Sequence, residues 1–198
     1  GTYQNYTAQA YCTACGRGTF NENTGSASES ACLPCMPGTY SSTTGATSRM
    51  FCTPCAAGYF SNTTGATSVT QCNSCPKGQY SPSQGSTTCI DCEMGKYSTA
   101  AASASCFSCQ AGSYAASTRS TTCVQCSAGY FMNVTESSVA CFACPTGHFT
   151  SSTSSSSCQP CAVGFYADTV ASTLCKPCQA GSFNNVTGAT SVSACVLC

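Results

Sequence analysis

The chain has 198 residues and a formal net charge of zero, with 6% charged residues and only 22 Leu, Ile, Val and Phe. So little apolar material cannot build the single core of a globular domain, and the low net charge argues against charge-driven disorder. The 22 cysteines indicate a scaffold of disulfides instead, in an oxidising compartment.

From its first residues the chain repeats one pattern, in which two cysteines are separated by two residues. Successive Cys-x-x-Cys pairs begin 20, 20, 20, 17, 17, 17, 18, 17, 17 and 20 residues apart. A fixed period of this kind is the signature of a repeat architecture. The pairs are 12/15, 32/35, 52/55, 72/75, 89/92, 106/109, 123/126, 141/144, 158/161, 175/178 and 195/198.

A glycine and an aromatic residue follow each of the first ten pairs at fixed distances. We expect the glycine to take a positive φ, or to let the backbone pass close to a neighbouring cystine. We expect the aromatic ring to cover a disulfide. The Gly-x-aromatic positions are Gly18/Phe20, Gly38/Tyr40, Gly58/Phe60, Gly78/Tyr80, Gly95/Tyr97, Gly112/Tyr114, Gly129/Phe131, Gly147/Phe149, Gly164/Tyr166 and Gly181/Phe183.

A Ser/Thr-rich loop completes each repeat, and in 20-residue copies it carries a second turn signal such as Thr44-Gly45-Ala46-Thr47. The predicted fold is a small disulfide-rich repeat array. It should form an elongated ribbon or rod of short irregular β units with essentially no helix, each unit touching mainly its neighbours.

The predicted domain organisation is one continuous array over residues 1–198, of about eleven repeats of 17–20 residues. Gly1-Thr2-Tyr3 is itself a Gly-x-aromatic motif, and Cys198 closes a pair that should open another unit. We therefore expect the array to be truncated at both ends. Units start near Cys15, Cys35, Cys55, Cys75, Cys92, Cys109, Cys126, Cys144, Cys161 and Cys178.

Two pairing schemes are open for the cysteines. A crossed scheme bonds both cysteines of one pair to both of the next, which needs an even number of pairs. The favoured uncrossed scheme uses one geometry throughout and leaves only Cys12 and Cys198 with partners outside the chain. It joins Cys15–Cys32, Cys35–Cys52, Cys55–Cys72, Cys75–Cys89, Cys92–Cys106, Cys109–Cys123, Cys126–Cys141, Cys144–Cys158, Cys161–Cys175 and Cys178–Cys195.

The repeat resembles known cysteine-rich modules, as in Cys35-Met36-Pro37-Gly38-Thr39-Tyr40. It is similar to the single-disulfide module of tumour necrosis factor receptor ectodomains, and more closely to tandem ephrin-receptor-like repeats of large surface and secreted proteins. The resemblance covers the whole chain and implies the uncrossed pairing. The crossed module of the tumour necrosis factor receptors is missing, so cytokine binding is not implied. Long uniform arrays of this repeat resemble protist surface and filament proteins.

The residues give less support to a zinc site, a redox site or a catalytic site. Two Cys-x-x-Cys pairs also have zinc-ribbon spacing, but an unbroken run of eleven pairs favours disulfides. A thioredoxin-like redox motif needs a βαβ context that is missing here. His148, the only histidine, is expected to be an exposed loop residue, and Asp91 and Glu93 are expected to be solvated. We expect no catalytic residue, no metal site, no cofactor and no enzymatic activity.

Four N-glycosylation sequons agree with an extracellular or cell-surface, secreted protein: Asn5-Tyr6-Thr7, Asn62-Thr63-Thr64, Asn133-Val134-Thr135 and Asn185-Val186-Thr187. Scattered Lys and Arg give no footprint for nucleic acid. No apolar run is long enough for a membrane span in this segment. The expected partners are other copies of the same fibre and covalent glycans.

Two functions follow. The favoured one is a structural extracellular glycoprotein, the repeat rod of a filament, flagellar hair, wall or surface coat. The alternative is the ligand-binding or adhesive ectodomain of a receptor, for which the one candidate apolar cluster is Phe107, Tyr130, Phe131, Met132 and Phe142. The structural interpretation also predicts that Cys12 and Cys198 are not free thiols in the intact protein.

Overall fold

The computed structural model describes all residues from 1 to 198. Its contacts divide the chain into two compact units. The first comprises residues 1–91 and 98–106, and the second residues 92–97 and 107–198. Both are built from two-stranded antiparallel hairpins.

Each hairpin pairs the residues that end a Gly-x-aromatic motif with the two residues between the cysteines of the next pair. The strands are two residues long because the Ser/Thr-rich loop and the cystine confine the pairing. The hairpins are β1 (Thr2–Tyr3) with β2 (Thr13–Ala14), β3 (Thr19–Phe20) with β4 (Leu33–Pro34), β5 (Thr39–Tyr40) with β6 (Thr53–Pro54), β7 (Tyr59–Phe60) with β8 (Asn73–Ser74), β9 (Gln79–Tyr80) with β10 (Ile90–Asp91), β11 (Lys96–Tyr97) with β12 (Phe107–Ser108), β13 (Ser113–Tyr114) with β14 (Val124–Gln125), β15 (Tyr130–Phe131) with β16 (Phe142–Ala143), β17 (His148–Phe149) with β18 (Gln159–Pro160), β19 (Phe165–Tyr166) with β20 (Lys176–Pro177), and β21 (Ser182–Phe183) with β22 (Val196–Leu197).

The register places the aromatic residue opposite the first residue after a cysteine, as in Tyr97 opposite Phe107. Cross-strand pairs of this type stabilise a hairpin through side-chain contact. Proline is tolerated in the second strand, for example at Pro54, because a two-stranded sheet has only edge strands.

Four 3-10 turns occur, and each lies in a repeat that is three residues longer than its 17-residue relatives. A serine precedes every one of them, and the turn ends against the first cysteine of the next pair. Ser48 caps its turn by accepting a hydrogen bond from the backbone N–H of Met50. The turns are Glu29–Ala31, Arg49–Phe51, Val69–Gln71 and Val192–Ala194.

These observations confirm the predicted fold class, a small disulfide-rich repeat array of short β units without an α-helix. Contacts also reach beyond the neighbouring repeat. Gly18 packs against the backbone of Gly65, which lies two repeats further along the chain. The array is therefore held by contacts over two repeats, in addition to those between neighbours.

Candidate functional site

Cysteine is the most frequent residue among the buried side chains. The second cysteine of a bridged pair is almost completely buried, as for Cys35 at 0% exposure, except at Cys178, which is half-buried like the first cysteines of the bridged pairs. The Cα–Cα distances across the disulfides are 5.6–5.8 Å. The joined cysteines are Cys15–Cys32, Cys35–Cys52, Cys55–Cys72, Cys75–Cys89, Cys109–Cys123, Cys126–Cys141, Cys144–Cys158, Cys161–Cys175 and Cys178–Cys195.

The remaining four cysteines fall into two classes. Cys92 and Cys106 are also disulfide-bonded. Cys12 and Cys198 are free thiols in this structure, and both are exposed.

Neighbouring repeats are joined by a recurring set of backbone hydrogen bonds. At the junction after Gly38, its N–H donates to the carbonyl oxygen of Ser61 at 2.7 Å. The N–H of Ser41 donates to Ala66 O at 2.9 Å, and the N–H of Gly65 donates to Cys35 O at 2.8 Å. Since main-chain groups make these bonds, the junction tolerates variation in most side chains.

A column of mostly small residues, which the sequence predictions did not include, completes the core. The residue that follows the aromatic is buried in all ten full repeats, while most of the aromatic rings stay partly exposed. A signal was present in the sequence, because this position holds Asn, Ser, Ala or Thr in every full repeat except the one with Met132. The column consists of Asn21, Ser41, Ser61, Ser81, Ser98, Ala115, Met132, Thr150, Ala167 and Asn184.

The apolar cluster proposed from the sequence is divided by the structure. Met132 is completely buried at 0% exposure, so it is not part of any docking surface. Phe107 and Phe142 are 58% and 52% exposed, and Tyr130 is 40% exposed. The ring of Phe142 lies 6.2 Å from that of Phe131, its cross-strand partner.

Exposed apolar side chains continue along the second unit. Phe107 meets Tyr97 across its own hairpin, with ring centroids 5.9 Å apart. In a later repeat, a groove of about 260 Å³ is lined by Phe149, Ala162, Phe165, Leu174 and Cys175. Leu174 is 71% exposed at its rim.

Charged side chains are few, and the clearest ion pair lies in the second unit. Lys176 Nζ donates to both carboxylate oxygens of Asp168, at 2.7 and 3.0 Å. This hydrogen bond lowers the pKa of Asp168 and raises the pKa of Lys176. Both groups are partly exposed, so the pair adds little to the free energy of unfolding.

The other titratable residues named from the sequence, His148, Asp91 and Glu93, make few polar contacts. His148 is not an exposed loop residue as expected, because it lies half-buried in β17 with Nδ1 3.4 Å from the carbonyl oxygen of Thr146. Asp91 is exposed and accepts a hydrogen bond from Gln79, and Glu93 is exposed 3.8 Å from Lys96. No group of His, Cys, Asp and Glu is arranged to hold a metal ion.

The four sequon asparagines, Asn5, Asn62, Asn133 and Asn185, are exposed. The structure contains no helix with the length and apolar character needed to cross a membrane.

Comparison with known families identifies the repeat. A family model described as tyrosine-protein kinase ephrin type A/B receptor-like matches residues 1–52, 112–157 and 150–195. No curated protein gives a significant match. Repeats of this family are non-catalytic ectodomain modules, and together with the disulfides they point to an extracellular or cell-surface location. With more than half of its length matched, the chain belongs to the ephrin type A/B receptor-like family of cysteine-rich repeats.

Proposed function

We propose that the chain is the repeat array of a structural extracellular glycoprotein, a component of a filament, flagellar hair, wall or surface coat. One observation carries the proposal. Successive repeats are joined by equivalent main-chain hydrogen bonds, and each repeat is closed by its own disulfide. An array of this kind extends by adding equivalent units, which suits a spacer in an assembly.

The distribution of stability supports the same proposal. Each disulfide closes a loop of similar length, which stabilises the folded repeat by about 3 kcal/mol in the chain-entropy model. The second cysteines, such as Cys109 and Cys126, are buried, which limits the access of a reductant to one side of the bond. An extracellular scaffold needs this unit-by-unit resistance because no large apolar core protects it.

The proposed partners are other copies of the same fibre. The formal net charge is zero, so copies do not repel one another electrostatically over long distances. Exposed apolar side chains on successive hairpins, including Val124 and Phe142, provide surface for lateral contact.

Electron microscopy of the full-length protein, isolated from its own cells without reductant, tests this proposal. We expect filaments or sheets with a regular axial repeat that shorten or disappear after dithiothreitol. An aliquot treated with an alkylating agent alone is the control and should keep its filaments. Discrete particles that stay monomeric at high concentration would contradict the structural proposal.

A receptor or adhesin ectodomain is the second candidate, favoured by the exposed rings of Phe107 and Phe142. The test is binding of the fluorescently labelled chain to the surface of the producing cells. Under this alternative, Phe107→Thr with Phe142→Thr should abolish binding. A control with Val69→Thr and Val192→Thr, which are similarly exposed, should bind like the unmodified chain.

A further inference from the structure

The four sequons share one position in the repeat. Their asparagines stand two residues after the aromatic of a Gly-x-aromatic motif, following Tyr3, Phe60, Phe131 and Phe183. No other position of the repeat carries a sequon, so the register defines one candidate position whose surroundings can be compared across the copies.

Burial shows why this position is suitable. In the ten full repeats the residue just before it belongs to the buried column described above, whereas Gln4, before Asn5, is half-buried. The residue at the position itself is exposed in all eleven copies. A glycan is bulky and hydrophilic, so it can only be carried at such a surface position. The eleven residues are Asn5, Glu22, Ser42, Asn62, Pro82, Thr99, Ala116, Asn133, Ser151, Asp168 and Asn185.

The contrast between the adjacent Asn184 and Asn185 shows how the chain directs one side chain inward and the next outward. Asn184 Nδ2 donates to the carbonyl oxygen of Phe165 at 3.1 Å, and Asn184 Oδ1 accepts from the N–H of Val186 at 2.8 Å. The carbonyl oxygen of Asn184 accepts from the N–H of Gly164 at 2.8 Å. Asn185 makes none of these bonds and remains exposed.

The same local turn recurs at two other sequons, those of Asn62 and Asn5. The N–H of Thr63 faces Ser61 Oγ at 3.4 Å, and the N–H of Tyr6 donates to Gln4 Oε1 at 3.1 Å. In each case the residue before the sequon asparagine holds the backbone of the residue after it. The asparagine amide is left for reaction.

The hydroxyl that defines a sequon is exposed as well. Thr7, Thr64, Thr135 and Thr187 all lie at the surface, each directly before the residue of the loop that has a positive φ. The sequon thus ends where the chain turns back into the junction between repeats.

We propose that Asn5, Asn62, Asn133 and Asn185 carry N-linked glycans at this single repeat position, and that the hairpin strands carry none. The inference rests on the extracellular location in the proposed function. The substrate is a lipid-linked oligosaccharyl diphosphate. The amide Nδ2 of asparagine forms a bond to C1 of the first sugar, the bond from C1 to the diphosphate oxygen breaks, the lipid diphosphate leaves with the electron pair, and the amide releases one proton.

The occupancy is tested on the full-length protein from its own cells. Peptides are released from the glycan by peptide N-glycosidase in ¹⁸O-labelled water, which marks each formerly glycosylated asparagine as labelled aspartate. We expect the label at all four asparagines and at none of Asn21, Asn23, Asn73 and Asn184. Unlabelled Asn62, Asn133 and Asn185 in disulfide-bonded material would overturn the inference and leave the proposed function standing.

Variants of the secreted chain test whether glycosylation depends on the position of the asparagine in the repeat. Thr64→Val should remove one glycan, while the matched Thr63→Val, at the variable position of the same sequon, should retain it. Ser42→Asn creates an Asn-Thr-Thr sequence at residues 42–44 in the exposed register, and we expect one additional glycan with unchanged secretion.

Ser41→Asn creates an Asn-Ser-Thr sequence at residues 41–43 in the buried register. Asparagine itself fits this column at Asn21, so loss of secretion would be due to the glycan. We expect glycosylated Ser41→Asn chains to be retained in the cell, and secretion to return when Thr43→Val is added to remove the sequon. Equal secretion of glycosylated Ser41→Asn and Ser42→Asn chains would overturn the single-position inference.

Discussion

Gly38 lies against the carbonyl oxygen of Gly85, two repeats further along the chain, so closely that a Cβ on Gly38 would overlap that oxygen. The same contact is made by Gly58 with Ala102, by Gly112 with Ser154, and by Gly129 with Ala171. This glycine also has a positive φ, of 85° at Gly38. Glycine is required here for two separate reasons, the backbone angle and the close approach.

The turn residue that accepts this contact, such as Gly65 opposite Gly18, is constrained by its backbone angle alone. Its φ is positive, but a Cβ on Gly65 would meet only ordinary contact, 3.5 Å from Pro34 Cβ. Shorter repeats place other residues at this point, such as Ala102 and Glu136 with φ of 59° and 55°. The difference explains why the first glycine occurs in every full repeat and the second does not.

The first prediction separates the two roles of the invariant glycine. Gly112→Ala should destabilise the chain more than Gly164→Ala, because both have a positive φ but only Gly112 meets backbone. The unfavourable φ costs about 1–2 kcal/mol in each variant, and overpacking adds about 1–3 kcal/mol at Gly112. The Ser154 amide donates to Cys126 O at 2.8 Å, so the loss of stability is measured as faster hydrogen exchange of this amide. Equal exchange rates in the two variants would contradict this assignment.

A second prediction concerns strain at the turn residue. Ala171 has a φ of 55°, so Ala171→Gly should raise the free energy of unfolding by up to about 1 kcal/mol. Ala162→Gly, at an exposed position without a positive φ, is the control and should lower it by about 0.5–1 kcal/mol. Thermal unfolding with intact disulfides gives both values. The strain argument is wrong if both substitutions destabilise alike.

The third prediction tests the buried column. Met132→Ala removes a completely buried side chain and should cost about 2–5 kcal/mol. Met50 is 92% exposed, and Met50→Ala should change stability by less than about 0.5 kcal/mol. Urea unfolding monitored by tyrosine fluorescence compares the two variants. A similar midpoint for both would show that the column is not a core.

The fourth prediction is the pH dependence of the pair Asp168–Lys176. The hydrogen bond from Lys176 holds the pKa of Asp168 below its ordinary value of 3.8. Because the folded-state pKa is the lower one, the stabilisation is present above about pH 3.8 and is lost as the pH falls through the folded-state pKa. NMR titration of the Asp168 carboxyl carbon should show its pKa rising in Lys176→Met and unchanged in Lys96→Met. An Asp168 pKa that stays low in Lys176→Met would rule out this cause.

The fifth prediction concerns the disulfides. Peptide mapping without reduction should recover Cys144 linked to Cys158, and intact full-length protein should resist alkylation at Cys12 and Cys198. Removing one bridge by Cys144→Ser with Cys158→Ser should cost about 3 kcal/mol. Contacts are local, so amide protection should fall within two repeats and persist around Cys35–Cys52. Loss of protection throughout the chain would show that the array unfolds as one unit.

The sequence by itself determined the repeat, the disulfide-rich array of short β units and the absence of α-helix, because these depend on local spacing and composition. Nine cystines of the structure join the second cysteine of one pair to the first of the next, a choice for which the sequence alone left two schemes open. It did not reveal that Met132 is buried beside an exposed Phe142, since a strand of two residues is too short for a recognisable alternation. Only the tertiary structure decided that Gly38 meets Gly85, because contact between segments two repeats apart depends on how successive hairpins stack and leaves no pattern within a single repeat.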